Sequence, residues 1–209
     1  MEMMDGTCRE FIRALSATQP VPGGGGAAAF GGALGIALTN MLANYTIGKK
    51  KYADVEPEVK ALLEQGMAIQ EELLGLVAQD AQVFEPLSRA YGLPTTTEEE
   101  KAYKKEVLNR ESKNACSVPL KIGELAVAGL EISVRLSEIG NRLVISDVGC
   151  GAVFLRAALE SAWLNVVINL GTITDQTWAE EKKQLIDAQL TKGRSLADTC
   201  YQAVQQKIS

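Results

Sequence analysis

Two aspartates have sequence surroundings that suit acid–base chemistry. Asp147 follows Ser146, which is placed to cap a helix, so Asp147 falls in the first turn of that helix. Backbone amides at a helix N-terminus favour an ionised carboxylate, which suits the stabilisation of a cation. Asp80 has mainly apolar neighbours, and an inward carboxyl group there would have a raised pKa and could donate a proton. Each also has a structural explanation: Asp147 can complement the helix dipole, and Asp80 can lie on a solvated face beside Gln79 and Gln82.

Polar groups at three further places are candidates for binding a substrate. Asn165 and Asn169 are four residues apart, so they share a helix face that is otherwise apolar, and their amides need partners there. They either bind a ligand or cap a neighbouring helix. A lysine run attracts anions, although it is also the usual composition of a solvated surface. The lysine run and the tyrosine after it add the candidates Lys49, Lys50, Lys51 and Tyr52. The loop that precedes Asp147 adds Asn141 and Arg142.

A run of four glycines, Gly23 to Gly26, directly precedes a segment with a helical pattern. Glycine has no Cβ atom, so the backbone can adopt positive φ and pass close to a ligand or to another chain. Amides at the start of the following helix can also receive an anion. We therefore predict a loop, Gly23, Gly24, Gly25 and Gly26, that lines a ligand groove; close packing against a neighbouring helix is the alternative. Nucleotide binding is not favoured, because no strand precedes the run and no βαβ unit follows it.

The apolar pattern is helical along nearly the whole chain, without hairpin signals or strict alternation. We predict one all-α domain over residues 1–209, a single-domain bundle of about six helices. The second helix is predicted over residues 26–46, and Gly31 and Gly35 on one of its faces allow another backbone to approach closely. The fourth is predicted over residues 98–138 with a kink at Pro119. The predicted capping residues are Thr7, Asp54, Thr97, Ser146 and either Thr174 or Thr177.

Composition limits the possible functions. The 209 residues include no histidine, so catalysis or metal binding by histidine is excluded. The net charge of −5 and the lack of a basic face argue against nucleic-acid binding. Four cysteines without metal-ligand spacing indicate buried, reduced thiols of a cytoplasmic protein, and no metal site is expected. No signal peptide is recognised, and the apolar stretches 27–47 and 144–171 are interpreted as buried helices rather than membrane spans.

Three stretches together carry a family resemblance. They are PVPGGGGAAAFGGALGIALTNMLANYTIGKKKY, AQDAQVFEPLSRAYGLP and GNRLVISDVGCGAVFLRAALESAWLNVVINLGTITD, with ACSVPLKIGE before the last. The glycine run alone is weak evidence for a family. The glycine run, TIGKKKY, SDxG and LNVxINL in this order are together specific evidence. Over nearly its whole length the chain resembles the formiminotransferase-cyclodeaminase / methenyltetrahydrofolate cyclohydrolase family.

The resemblance implies an all-helical, homodimeric enzyme that binds a tetrahydrofolate substrate near the subunit interface and needs no cofactor. The SDxG motif supports Asp147 as a catalytic carboxylate, and Asp80, inferred from its apolar neighbours, is the second candidate for catalysis. The implied folate contacts are the four glycines, the three lysines, Tyr52, Asn141, Arg142, Asn165 and Asn169. The lysines would attract the glutamate tail of the folate. One departure concerns Gly26, where the family usually has a serine, so a side-chain cap of the helix is missing.

Two folate reactions and one non-catalytic role are open. We favour hydrolysis of 5,10-methenyltetrahydrofolate to 10-formyltetrahydrofolate, because a chain of this length is expected to carry no formiminotransferase domain that would pass on a formimino group. Deamination of 5-formiminotetrahydrofolate is the alternative, since a separate protein could supply that group. A helical dimerisation module without activity is the third possibility, although SDxG and the lysine run are both present.

Overall fold

The computed structural model describes residues 6–209, and this part of the chain consists of helices and turns without β-strands. It has seven α-helices: α1 Cys8–Leu15, α2 Gly24–Thr46, α3 Glu56–Tyr91, α4 Glu98–Ala115, α5 Ser117–Ile139, α6 Ile145–Leu170 and α7 Gln176–Ile208. Two 3₁₀ turns, Lys50–Val55 and Arg142–Val144, precede α3 and α6. The predicted all-α bundle is confirmed.

The long helix predicted over residues 98–138 is two helices that meet at Cys116. The backbone of Cys116 is still right-handed helical, with φ −73° and ψ −21°. Pro119 lies in the first turn of α5, where a proline is tolerated. Because proline has no N–H to donate to the carbonyl of Ala115, the hydrogen-bond ladder is interrupted at this point. The break therefore lies three residues before the predicted kink.

The observed side-chain caps match the caps predicted from the sequence at only some of the helix N-termini. Thr7 and Thr97 cap their helices as predicted, and each forms a capping box with the glutamate three residues later. The predicted caps Ser146 and Asp54 are wrong, because the two 3₁₀ turns lead directly into α6 and α3. The last helix is capped by Asp175, whose side chain accepts a hydrogen bond from the N–H of Trp178, rather than by either predicted threonine.

Helix α2 lies at the centre of the bundle and packs against α3, α5 and α6. It runs antiparallel to α6, since Gly24 lies beside Asn165 and Gly35 beside Gly151. At the second point the two backbones touch. A Cβ at Gly35 would lie 2.8 Å from the carbonyl oxygen of Gly151, and a Cβ at Gly151 would lie 2.6 Å from the carbonyl oxygen of Gly35. This contact sets the register that brings Asn165 to the start of α2.

Helix α2 is long and apolar enough to cross a membrane by length and composition, and it is the one helix within residues 6–209 that meets these criteria. Its most apolar window has a mean hydropathy of 1.4, but 61% of that window is buried inside the bundle. This burial supports the interpretation of the stretch as a core helix.

We expect Gly35→Ala to lower the free energy of unfolding by about 1–3 kcal/mol, because its methyl group would have to push α6 away. Gly75→Ala in α3 is the matched control, because a Cβ there would meet no atom within 4 Å and alanine is the better helix former. Urea unfolding followed by circular dichroism measures both variants. A Gly35→Ala protein as stable as the wild type would contradict the contact between the two backbones.

Candidate active site

A cavity of about 100 Å³ lies where the start of α2 meets α3, α5 and the end of α6. Three polar side chains line it: Asp80 from α3, and Asn165 and Asn169 from α6. The glycines 23–25 form a further part of its wall, and the apolar part includes Phe84, Pro119 and Ile168. The structure thus brings one predicted aspartate, both predicted asparagines and the glycine run together.

The glycine run begins helix α2, so the predicted loop is wrong. Gly23 is the N-cap residue, and Gly24, Gly25 and Gly26 form the first helical turn. A helix start without a side-chain cap leaves backbone N–H groups unsatisfied. Asp80 supplies the missing acceptor from another helix, because its Oδ2 accepts a hydrogen bond of 2.8 Å from the N–H of Gly26. This contact fixes the carboxyl group at the positive end of α2.

Gly25 is required by the same contact. A Cβ at Gly25 would lie 2.1 Å from Oδ1 of Asp80, so any side chain there would displace the carboxyl group. A Cβ at Gly26 would instead lie 3.6 Å from the carbonyl oxygen of Val77 and 3.8 Å from Oδ2 of Asp80. The serine that is usual in the family would therefore fit at Gly26, and Asp80 provides the cap in its absence.

The environment of Asp80 suits proton transfer. Burial raises the pKa of this carboxyl group above its ordinary value, and the hydrogen bond from Gly26 partly offsets the rise. A carboxyl group with a raised pKa is better matched to accepting and donating protons near neutral pH. Of the two placements that the sequence left open for Asp80, the structure shows the inward one and not the solvated helix face. Its catalytic role stays a prediction.

The two asparagines present amide groups to the cavity. Asn165 donates a hydrogen bond of 2.8 Å from Nδ2 to the carbonyl oxygen of Ser161 in its own helix. Asn169 is 7% exposed, and its side-chain amide makes no hydrogen bond with the described residues 6–209. Because its amide lines the cavity and makes no such bond, Asn169 is placed to bind a polar edge of a ligand.

Most of the other predicted substrate contacts meet at the opposite end of α2. The Tyr52 hydroxyl accepts a hydrogen bond of 3.2 Å from the N–H of Arg142, and Nδ2 of Asn141 donates one of 2.7 Å to the carbonyl oxygen of Tyr45. The ammonium group of Lys51 lies 5.6 Å from the centre of the Tyr52 ring. We call this group the basic corner; its basic residues are exposed, and it consists of Lys49, Lys50, Lys51, Tyr52, Asn141 and Arg142.

Asp147 also lies far from the cavity. It is in the first turn of α6, as predicted, and is partly buried. Asn165 follows 18 residues later in the same helix, which corresponds to about 27 Å at 1.5 Å per residue. Within one chain, Asp147 and Asp80 therefore cannot act on the same carbon atom.

The sequence interpretation missed the apolar side of the cavity. Phe84 lies one helical turn after Asp80 on α3, and side chains four residues apart share a helix face. The four-residue spacing from Asp80 was therefore a signal that could have placed Phe84 at the site. Pro119 was interpreted only as a kink, and Ile168 only as part of the pattern around the two asparagines.

Comparison with known proteins adds an independent observation. The family model described as formiminotransferase-cyclodeaminase matches residues 7–188. The chain belongs to this family. It is 37% identical to the methenyltetrahydrofolate cyclohydrolase of Methylorubrum extorquens, over 97% of this chain and 98% of that protein. It is 30% identical to the formimidoyltransferase-cyclodeaminase of Rattus norvegicus, but spans only 36% of that protein's length.

A solved structure of a cyclodeaminase has the same fold as this chain. The crystal structure of formiminotetrahydrofolate cyclodeaminase from Thermotoga maritima matches with a TM-score of 0.80 and 30% sequence identity. The match covers 99% of this chain and 97% of that chain. The family predicted from the four motifs is confirmed.

The raised pKa of Asp80 gives a prediction for stability. The folded protein binds the Asp80 proton more tightly than the unfolded chain, in which an aspartate has a pKa of about 3.9. The free energy of unfolding therefore falls as pH rises from the unfolded pKa to the folded pKa. We therefore expect wild type to lose stability relative to Asp80→Asn as pH rises from about 4 through the raised pKa. Asparagine stays neutral and keeps an oxygen that can accept from Gly26. Urea unfolding of both proteins between about pH 4 and 8 measures the difference, and a pH-independent difference would contradict the prediction.

Proposed function

We propose that the protein is a methenyltetrahydrofolate cyclohydrolase, which hydrolyses 5,10-methenyltetrahydrofolate to 10-formyltetrahydrofolate. The observation that carries the proposal is the convergence of Asp80, Asn165 and Asn169 on one cavity. Its support from comparison is the identity of 37% with a cyclohydrolase over nearly the full length of both chains. Asp80 is the proposed proton-transfer group, and the two amides orient the substrate.

The chemistry needs one group that moves a proton. In the methenyl form, one carbon is held between two folate nitrogens as an amidinium cation. Water adds to this carbon and gives its proton to the Asp80 carboxylate. The bond from the carbon to the pterin-ring nitrogen then breaks as that nitrogen takes the proton from Asp80. The added hydroxyl group loses its remaining proton to solvent and becomes the carbonyl oxygen of the formyl group on the other nitrogen, so the cation and one water give the neutral product and one proton. No oxidation or reduction occurs, and we propose that no cofactor takes part.

The amides of Asn165 and Asn169 complement the pterin ring, whose edge offers both donors and acceptors. Asn169 has a side-chain amide without a partner among the described residues, so a bound pterin would satisfy it rather than compete with an existing bond. Holding the ring in one orientation places the reacting carbon beside Asp80, and such positioning contributes much of the rate of an enzyme.

Formiminotetrahydrofolate cyclodeaminase is the second candidate. It is supported by the full-length match to the Thermotoga maritima cyclodeaminase structure, with a TM-score of 0.80. In that reaction the second folate nitrogen attacks the formimino carbon, and ammonia leaves after it is protonated. The same carboxyl group, Asp80, would supply that proton, so the two activities need the same residues and differ in the substrate that is turned over.

The proposal includes a homodimer formed through α2 and α6. Helix α2 carries no charged residue in its 23 positions. A Cβ at Gly31 would meet no atom within 4 Å, so this side of the helix is open to a second backbone. An apolar face of this kind is typical of a protein interface. Its exposed side chains are Leu34, Tyr45, Val153, Phe154, Leu164 and Ile168.

A two-fold arrangement of this face would complete the site. The cavity and the basic corner lie at opposite ends of α2, whose 23 residues span about 35 Å. Two α2 helices that pack antiparallel place the basic corner of one copy beside the cavity of the other. The cavity of about 100 Å³ is smaller than a pocket of roughly 300–1,000 Å³ that holds a whole ligand, so most of the folate must lie outside it. The lysines of the second copy would then bind the glutamate tail.

Cellular context belongs to the same proposal. A cytoplasmic protein is supported by the free thiols, of which Cys116 and Cys200 are buried, since burial raises their pKa to about 12 and about 11 and makes them unreactive. The prediction of buried thiols is wrong for the other two cysteines, Cys8 and Cys150, which are exposed. The net charge of −5 supports a protein that does not bind nucleic acid, and the burial of α2 supports one that does not enter a membrane.

Absorbance of the methenyl chromophore tests the activity. With 5,10-methenyltetrahydrofolate we expect enzyme-dependent loss of absorbance, whereas appearance from 5-formiminotetrahydrofolate with release of ammonia would identify the cyclodeaminase instead. Asp80→Asn should lower kcat by about 10²–10⁴-fold. Glu64→Gln, which changes an exposed carboxylate of the same helix, is the control. If folded wild-type protein acts on neither substrate, the non-catalytic dimerisation module becomes the better hypothesis.

Asp147 is tested in the same assay. If the first turn of α6 from a second copy faces the bound cation, Asp147→Asn should cost far more turnover than affinity. Near-normal turnover of this variant would remove Asp147 from the mechanism and leave it as a residue that complements the helix dipole.

The dimer is tested by a charge placed on its proposed face. We expect Leu34→Arg to convert a dimer, with twice the 22.4 kDa mass of the chain, into a helical monomer in light scattering. Met67→Arg is the control, because Met67 is as exposed but lies on α3. A Leu34→Arg protein that stays dimeric would contradict this interface.

Mixed dimers test whether the site is shared. A subunit with Asp80→Asn and a subunit with Arg142→Ala would each form inactive or weakened homodimers. In the mixed dimer, one site would carry both changes and the other neither, so activity should recover to about half of wild type. No recovery on mixing would place the whole site within one chain.

A further inference from the structure

Phe84 is a large apolar side chain placed beside the polar cavity instead of in the core. It lies four residues after Asp80 on α3, and both side chains line the cavity. Phe84 is partly buried. Among the cavity-lining residues within the described part of the chain, it is the one aromatic side chain.

Core packing does not account for this position. Phe11 and Phe30 form an edge-to-face pair with ring centres 5.3 Å apart and belong to the main hydrophobic cluster or its border. Phe84 is outside that cluster and outside the smaller cluster around Leu159. A phenylalanine that keeps part of its surface in a cavity gains less from burial than one in the core, so its ring is available to a ligand.

The ring has the chemistry to recognise a delocalised cation. The face of an aromatic ring carries partial negative charge, and it attracts a cation that lies within about 6 Å of its centre. The attraction is strongest where water is excluded, as in a small cavity. On the proposed function, the substrate carries its positive charge on the amidinium unit that reacts beside Asp80, one helical turn from Phe84.

We propose that Phe84 makes the site selective for the cationic methenyl form of the folate through the face of its ring. This inference rests on the proposed function and goes beyond it, because it assigns discrimination between folates of different charge to one side chain. Hydrolysis removes the positive charge from the substrate. The product therefore loses the interaction with Phe84, which weakens its binding and favours its release.

The test compares a cationic and a neutral folate on the same variants. The measured quantities are KM for 5,10-methenyltetrahydrofolate and the inhibition constant of 5-formyltetrahydrofolate, whose pterin has no amidinium charge. We expect Phe84→Leu to raise KM for the cation by about tenfold and to change the inhibition constant of the neutral folate by less than about twofold. Phe30→Leu is the control, because it removes a partly buried phenylalanine away from the cavity and should change neither constant.

Fluorinated phenylalanines at position 84 keep the test valid even if leucine disturbs the fold. Each added fluorine withdraws charge from the ring face with little change in shape, so the logarithm of KM for the cation should rise in steps with fluorination. The inhibition constant of the neutral folate should stay level. Equal changes for both folates, or no dependence on fluorination, would overturn the role of Phe84.

The failure of the proposed function is recognised separately. If wild type neither hydrolyses the methenyl form nor binds 5-formyltetrahydrofolate, the folate function fails, and the inference fails with it. If wild type binds and turns over folates normally but the variants show no charge dependence, only the role of Phe84 fails.

Discussion

The hydrogen bond from the N–H of Gly26 to Asp80 is the interaction on which the candidate site depends. It joins two residues that are 54 positions apart in sequence, one in α2 and one in α3, and lets α2 begin within a run of glycines, which have the greatest conformational freedom of any residue. It also holds a carboxyl group in a partly buried place that raises its pKa. Structure and proposed reactivity therefore share one contact: the carboxyl group that accepts from the Gly26 amide, at the start of α2, is also the proposed proton-transfer group.

The same contact explains the requirement for glycine. The carboxyl group of Asp80 occupies the space that a side chain of Gly25 would need. Further along α2, Gly35 lies against the backbone of α6 and fixes the register between the two helices. That register carries Asn165 and Asn169 to the cavity. Glycines thus have two structural effects: Gly25 leaves space for the carboxyl group of Asp80, and Gly35 allows the close packing that places the two amides near it.

The sequence was sufficient to predict the helical class and the family, and it gave an inward position of Asp80 as one of two possibilities. These predictions rest on local signals, namely the helical period of apolar residues, the order of four motifs and the apolar neighbours of one carboxylate. The start of α2 was predicted wrongly because its cap comes from another helix, and single-sequence capping rules consider only neighbouring residues. The caps at Asp54 and Ser146 failed because short 3₁₀ turns replace an abrupt helix start.

The distribution of the site residues was also beyond local signals. Motifs such as TIGKKKY and SDxG mark positions but not the ends of the helices to which the fold carries them. The antiparallel packing of α2 and α6 separates Asp147 and the basic corner from Asp80 by most of a helix length. Phe84 was missed for a related reason, because an aromatic residue at a helical spacing is usually assigned to the core.

The reciprocal contact of Gly35 and Gly151 limits how this protein can change over evolutionary time. Each residue's missing Cβ is the space that the other's carbonyl oxygen occupies, so a larger residue at either position meets the same obstacle. Replacing the second glycine after the first does not remove the clash, because each new Cβ meets a backbone carbonyl oxygen and not a side chain. No pair of compensating substitutions at these two positions can restore the distance, and a lineage that loses either glycine must move a whole helix or recover the original residue. The substrate preference of such an enzyme can drift through its cavity wall, while the spacing of its two central helices stays fixed.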